Sequence, residues 1–144
     1  MAFTVSSAFI KVWDLRMSNT TCVKTLSSSG LTTNGPVQLV SANRTLAMPT
    51  GETAVTDIAL SPSGLSLFSA AADKVRVWDL RKFHSIGKLS GGHQAAVMCL
   101  ATGTHYAHCS DRLGSTRVDS NRLKLTRITY FRGCLIILLL LFIF

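Results

Sequence analysis

Apolar and polar positions alternate along Ile10-Lys11-Val12-Trp13, the two-residue period of a half-buried strand, and the β-branched and aromatic content supports that reading. The same pattern returns further on. Ile10-Lys11-Val12-Trp13-Asp14-Leu15-Arg16 recurs as Val75-Arg76-Val77-Trp78-Asp79-Leu80-Arg81, with five of seven positions identical. Each copy follows a run of small residues, Ser6-Ser7-Ala8 and then Ser69-Ala70-Ala71-Ala72. A repeat of this kind marks an architecture that uses one structural unit more than once.

Turn signals around the second copy divide it into four strands. Val55 to Leu60 ends at Ser61-Pro62-Ser63-Gly64, and Ser66 to Ala70 turns through Asp73-Lys74. Lys74 to Trp78 is the third, and Phe83 to Leu89 runs into Ser90-Gly91-Gly92 as the fourth. Four short antiparallel strands with Trp-Asp closing the third predict one propeller blade over residues 54–90.

These residues resemble WD40 repeats. Trp13-Asp14 and Trp78-Asp79 match the family's Trp-Asp pair, Asp73 its turn aspartate, and Gly92-His93 the dipeptide that precedes a new unit. The resemblance implies that the Trp packs between strands, and that a His, a Ser/Thr, an Asp and the Trp can join in one hydrogen-bonded set. The His for residues 54–90 should lie near Gly51-Glu52, where there is none, while His93 belongs to the following unit. No complete set can be assigned. The resemblance gives these positions a stabilising role and no catalytic one.

Trp13 and Trp78 stand 65 positions apart, against a WD40 period of roughly 40–45. The surplus is expected to leave the blade as an inserted loop over residues 27–53, where Ser27-Ser28-Ser29-Gly30 and Asn34-Gly35-Pro36 have loop composition. That insertion is similar to one in the C-terminal propeller of the kinesin-4 family of motors. So are Ser7 to Arg16, Asp57 to Gly64, Gly87 to His93 and Val97-Met98-Cys99-Leu100. The resemblance covers residues 1 to about 101. It implies a protein-interaction scaffold whose partners could include tubulin, microtubules or motor regulators, in the cytoplasm or on the cytoskeleton.

The chain departs from that pattern in two places. Phe3 to Ser7 aligns with Leu67 to Ala71, so residues 1–26 read as a partial blade that lacks its first strand. No G-x-x-x-x-G-K-[ST] phosphate loop occurs, so the family's ATP hydrolysis is not expected of this chain. After Leu100 the repeat stops. Residues 91–101 begin a third blade, 102–134 read as a basic irregular segment, and 135–144 as an apolar tail. The expectation is an all-β partial WD40 propeller, about one full blade plus two partial blades, with an irregular or helical C-terminal tail. A truncated, non-functional product fits the same observation.

Charge changes the picture only toward the C-terminus. The formal net charge is +8, and half of that excess falls within residues 101–144. Such a stretch suits an acidic partner or an anionic membrane face, or it is a solvated tail; no nucleic-acid partner is assigned. A small peripheral membrane protein using the basic stretch and Leu135 to Phe144 is the alternative reading. Ten residues in a helix reach only about 15 Å at ~1.5 Å each, about half a hydrocarbon core. Cys22, Cys99, Cys109 and Cys134 form no C-x-x-C pair. His105-x-x-His108-Cys109 with Cys99 upstream matches no common structural-zinc spacing. No metal, cofactor or catalytic group is expected.

Overall fold

The computed structural model describes residues 1–16, 19–37, 48–90, 93–103, 106–111, 115–119 and 125–128. Twelve strands lie among them, grouped in three antiparallel four-stranded sheets. The first sheet orders β1 (Ala2–Ser6), β2 (Phe9–Asp14), β3 (Thr21–Ser27) and β4 (Thr32–Asn34). The second orders β5 (Val55–Leu60), β6 (Ser66–Ala71), β7 (Lys74–Asp79) and β8 (His84–Leu89). The third orders β9 (Cys99–Thr102), β10 (Tyr106–Ser110), β11 (Ser115–Asp119) and β12 (Leu125–Ile128).

The sequence repeat is a repeat of register. Ala2 pairs with Trp13 as Leu67 pairs with Trp78, so β1, β2 and β3 correspond to β6, β7 and β8. The ladder slips at the same place in both copies, between Val12 and Trp13 and between Val77 and Trp78. A bulge at that point bends the strand that bears it and increases local twist. No strand of the first sheet corresponds to β5.

Alternation decides which side chains face which neighbour. In the second sheet, Trp78, Leu67 and Val55 turn toward the first sheet, where they pack with Ile10, Val12 and Leu26. Phe68, Ala70, Val75, Val77 and Leu89 turn the other way, onto Val97, Ala107 and Cys109. The second sheet is thus covered on both faces, and adjacent Val77 and Trp78, pointing to opposite faces, are both buried. Main-chain bonds reinforce the stacking. Val55 N–H donates to the Ser7 carbonyl at 2.9 Å and Val97 N–H to the Ala72 carbonyl at 2.8 Å. Ser7 (φ 55°) and Ala72 (φ 51°) both sit in the left-handed region within their two-residue turns.

Three expectations need correction. The segment 27–53 is not irregular throughout: Ser27 ends β3, and β4 returns to pair Thr32 with Leu26 and Asn34 with Lys24. Thr32 Oγ1 also donates to the Phe83 carbonyl at 2.7 Å, which ties the start of the insertion to the second sheet. The described residues of the segment 102–134 are not irregular either. β10, β11 and β12 pair there in continuous register and make the third unit four-stranded rather than a beginning. Strand pairing is a backbone affair, and small residues such as Ala107 and Cys109 suffice to bury one face. The alignment of Phe3 with Leu67 shifts by one, since Ala2 stands where Leu67 does, and the first of the three sheets still lacks a counterpart of β5. The apolar tail at 135–144 lies outside the described residues.

Candidate functional site

The Trp-Asp positions come first. Trp78 is fully buried, and its Nε1–H donates to Ser69 Oγ at 3.0 Å across the neighbouring strand. Trp13 holds the equivalent place but is only half-buried, its Nε1–H donating to Thr4 Oγ1 at 2.8 Å. Burial of the indole therefore requires a second sheet over it, which Trp78 has in Ile10, Val12 and Leu26.

The paired aspartates clamp the turns that follow. Asp14 accepts from Arg16 backbone N at 3.0 Å and from its guanidinium at 2.6–3.2 Å. Asp79 accepts from Arg81 N at 2.8 Å and from its guanidinium at 3.2–3.3 Å. The arginine hydrogen bonds hold both carboxyls below the usual aspartate range. Asp73 occupies the β6–β7 turn and meets Lys74 at 3.7 Å, partly open to solvent.

His93 is buried. Its Nδ1 lies 2.9 Å from Asp111 Oδ2 and its Nε2 3.0 Å from Cys109 Sγ. The sequence attributes His93 to the third unit without a partner, and neither Asp111 nor Cys109 stands out there. The signal that could have found Asp111 is its place just after the second strand of its sheet, near where Asp73 stands in the second sheet. A Cys–His–Asp order suggests nucleophilic chemistry, but burial pushes the Cys109 thiol up to about 12, with Asp111 and Cys99 adding to the effect. A thiol held neutral in this way packs rather than attacks. Gly92 lies outside the described residues, as does His105 of the zinc candidate. Among the described residues no group of three or more His, Cys, Asp and Glu could hold a metal ion.

A second constellation was not legible in the sequence. Glu52 reaches back to the β3–β4 turn, where its carboxylate accepts from the hydroxyls of Ser27, Ser28 (2.5 Å) and Ser29 (2.6 Å) and from Ser29 N–H (2.9 Å). Burial alone would raise the Glu52 carboxyl, but the serine hydrogen bonds together outweigh it and hold the group below the ordinary glutamate range. Beneath the turn, Arg76 donates to the Ser28 and Ser29 carbonyls at 3.2 and 2.8 Å and to Ser85 Oγ at 3.1 Å. Its guanidinium carbon sits 5.8 Å from the centre of the Trp78 ring. Gly30 makes this possible, since its φ is +106° and a Cβ there would stand 2.5 Å from Arg76 Nη1. Beside the turn, between the first two sheets, lies a hollow of about 30 Å³ walled by Ser28, Thr53, Ser69, Ala71, Lys74, Arg76 and Lys88.

Stacked four-stranded antiparallel sheets, with repeated Trp-Asp ends and a shared register, define a partial WD40-type β-propeller. A crystal structure of the Mitotic Checkpoint Complex superposes on 91% of the chain with a TM-score of 0.59 and 17% identity, using 34% of its own length. The crystal structure of RRP9 WD40 repeats covers 56% of the chain and 26% of its own, with a TM-score of 0.50 and 20% identity. These likenesses are of fold alone.

In sequence the chain resembles kinesin-like proteins. Over 100 residues it is 49% identical to kinesin-like protein KIF21A of Homo sapiens and 44% identical to KIF21B of Mus musculus. Over 105 residues it is 35% identical to kinesin-like protein klp-12 of Caenorhabditis elegans. Each match covers 69% of the chain, and the chain spans 6% of the length of these relatives. No family model matches the chain.

Proposed function

We propose that the chain is a protein–protein interaction scaffold, the WD40 part of a kinesin-like tail, with no motor chemistry of its own. The observation that carries this reading is the 49% identity to KIF21A over residues that fold as stacked propeller sheets. Sheets of this kind present loops and turns at their rims while their faces are used up in stacking, so binding falls to the rim. The partners are proteins, with microtubules or motor regulators the first to test, and the setting is the cytoplasm and its cytoskeleton. The roles of Trp13, Asp14, Asp73, Trp78, Asp79, Gly92 and His93 are to hold strands and turns in place.

Co-sedimentation tests the reading. Tagged chain expressed in cells is expected in the microtubule pellet or in complexes with motor regulators. Recovery in the membrane pellet alone, lost on deleting residues 135–144, would favour the peripheral-membrane alternative. Purified chain is expected to show no ATP turnover. Turnover that follows the protein through purification would overturn the scaffold assignment.

A further inference from the structure

The hollow between the first two sheets has a chemistry that the scaffold reading does not use. Three of its seven lining residues are cationic, Lys74, Arg76 and Lys88, and none is acidic. Of the acids near it, Glu52 is held by the hydrogen bonds of the serine turn, and Asp73 meets Lys74 at 3.7 Å with both side chains partly open to solvent. Lys88 has no ion-pair partner among the described residues, and its backbone pairs with Arg76 in register, so both project from one face of the sheet. Arg76 is fixed by three hydrogen bonds and supplies standing positive charge without rearrangement. Ser69 accepts the Trp78 indole N–H, which leaves its own O–H to donate.

We propose that this hollow receives a carboxylate side chain from an acidic peptide segment of a protein partner. The proposal rests on the scaffold reading and names the chemistry of its partner. About 30 Å³ gives room for the two oxygens of a carboxylate. The adjoining turn supplies an internal precedent: the same wall, at Ser28, already holds the carboxylate of Glu52 on hydroxyl donors. Two mobile ammonium groups on the rim and a fixed guanidinium within make a site that attracts at a distance and orients at contact.

The test uses the full chain, a fluorescein-labelled decapeptide of glutamates, its glutamine counterpart and a phosphoserine peptide of matched charge, with binding read by anisotropy. The glutamate peptide is expected to bind and the glutamine peptide not. Lys74→Gln with Lys88→Gln should weaken glutamate binding by about tenfold. Lys11→Gln with Lys82→Gln removes the same charge outside the hollow and should change it less than about twofold. Circular dichroism of all variants checks that each remains folded. Equal weakening by both pairs would reduce the effect to net charge and overturn the proposal, as would no weakening by either. A phosphoserine peptide that binds through Lys74 and Lys88 where the glutamate peptide does not would overturn the carboxylate assignment. Microtubule pelleting unaffected by the Lys74 and Lys88 changes would remove the hollow and spare the scaffold, whereas glutamate-peptide binding without pelleting would do the reverse.

Discussion

Trp78 and Ser69 are joined by a 3.0 Å hydrogen bond from a fully buried indole to a hydroxyl on the adjacent strand. The bond satisfies a donor that water cannot reach, and the ring fills the space between the first two sheets. Trp78→Ala is expected to cost ~3–5 kcal/mol, the range for emptying a packed aromatic site. Ser69→Ala, which leaves the indole N–H without a partner, should cost ~1–3 kcal/mol. Trp13→Ala, at the half-buried counterpart, should cost ~1–2 kcal/mol. Denaturant unfolding of the three variants checks the order. Equal losses at Trp13 and Trp78 would show that the second indole is not enclosed as described.

Acid should loosen the tie between Glu52 and the serine turn. Its carboxyl lies below the ordinary value of 4.5 in the folded chain, so the contribution is complete above that value and fades as pH falls through the folded one. Asp14 and Asp79 titrate in the same direction, but they do so in every variant. The difference in stability between the chain and its Glu52→Gln variant should therefore be largest near neutrality and shrink below about pH 4.5. Parallel stability curves across pH 3–7 would contradict the assignment.

The cysteines should separate by reactivity. Cys99 is exposed, whereas Cys109 is buried beside His93 with its thiol pushed up to about 12. N-ethylmaleimide at neutral pH is expected to modify Cys99 first and Cys109 on the order of a hundredfold more slowly, until denaturant is added. Peptide mass spectrometry reads each site separately. Comparable rates in the native chain would mean that the second sheet does not cover Cys109.

Gly30→Ala should destabilise by about 1–3 kcal/mol, because the new methyl meets both an unfavourable φ and the Arg76 guanidinium. The combination with Arg76→Ala distinguishes the two causes. If the guanidinium matters, the double variant will lose less than the sum of the single losses, measured by thermal or urea unfolding.

The second sheet was legible because everything about residues 54–90 points one way: alternation, turn residues and a Trp-Asp end. The third was not. Its recognisable marks would be a Trp-Asp pair and a run of bulky apolar residues, and residues 106–119 offer Ala107 and Cys109 instead. Their burial comes from Phe68, Val75 and Val97 on neighbouring elements, which no local pattern reveals. Glu52 was missed for a similar reason, since its partners lie 23 to 25 positions earlier in the chain. The sequence identified the absence of a His near Gly51-Glu52, but not that a carboxylate there had taken the serine turn as its seat.

The left-handed joints at Ser7 and Ala72 bear on how such a chain tolerates change. Each presents a carbonyl to a backbone N–H at or just before the start of the next sheet, and neither asks for a particular side chain on either partner. A unit coupled through its main chain can drift in composition and keep its berth. The third sheet, with no Trp-Asp and little of the repeat's vocabulary, docks through Val97 onto Ala72 as the second docks through Val55 onto Ser7. Selection is thereby free to rewrite the rim of one unit for a new partner, while the stack that carries it keeps its pitch.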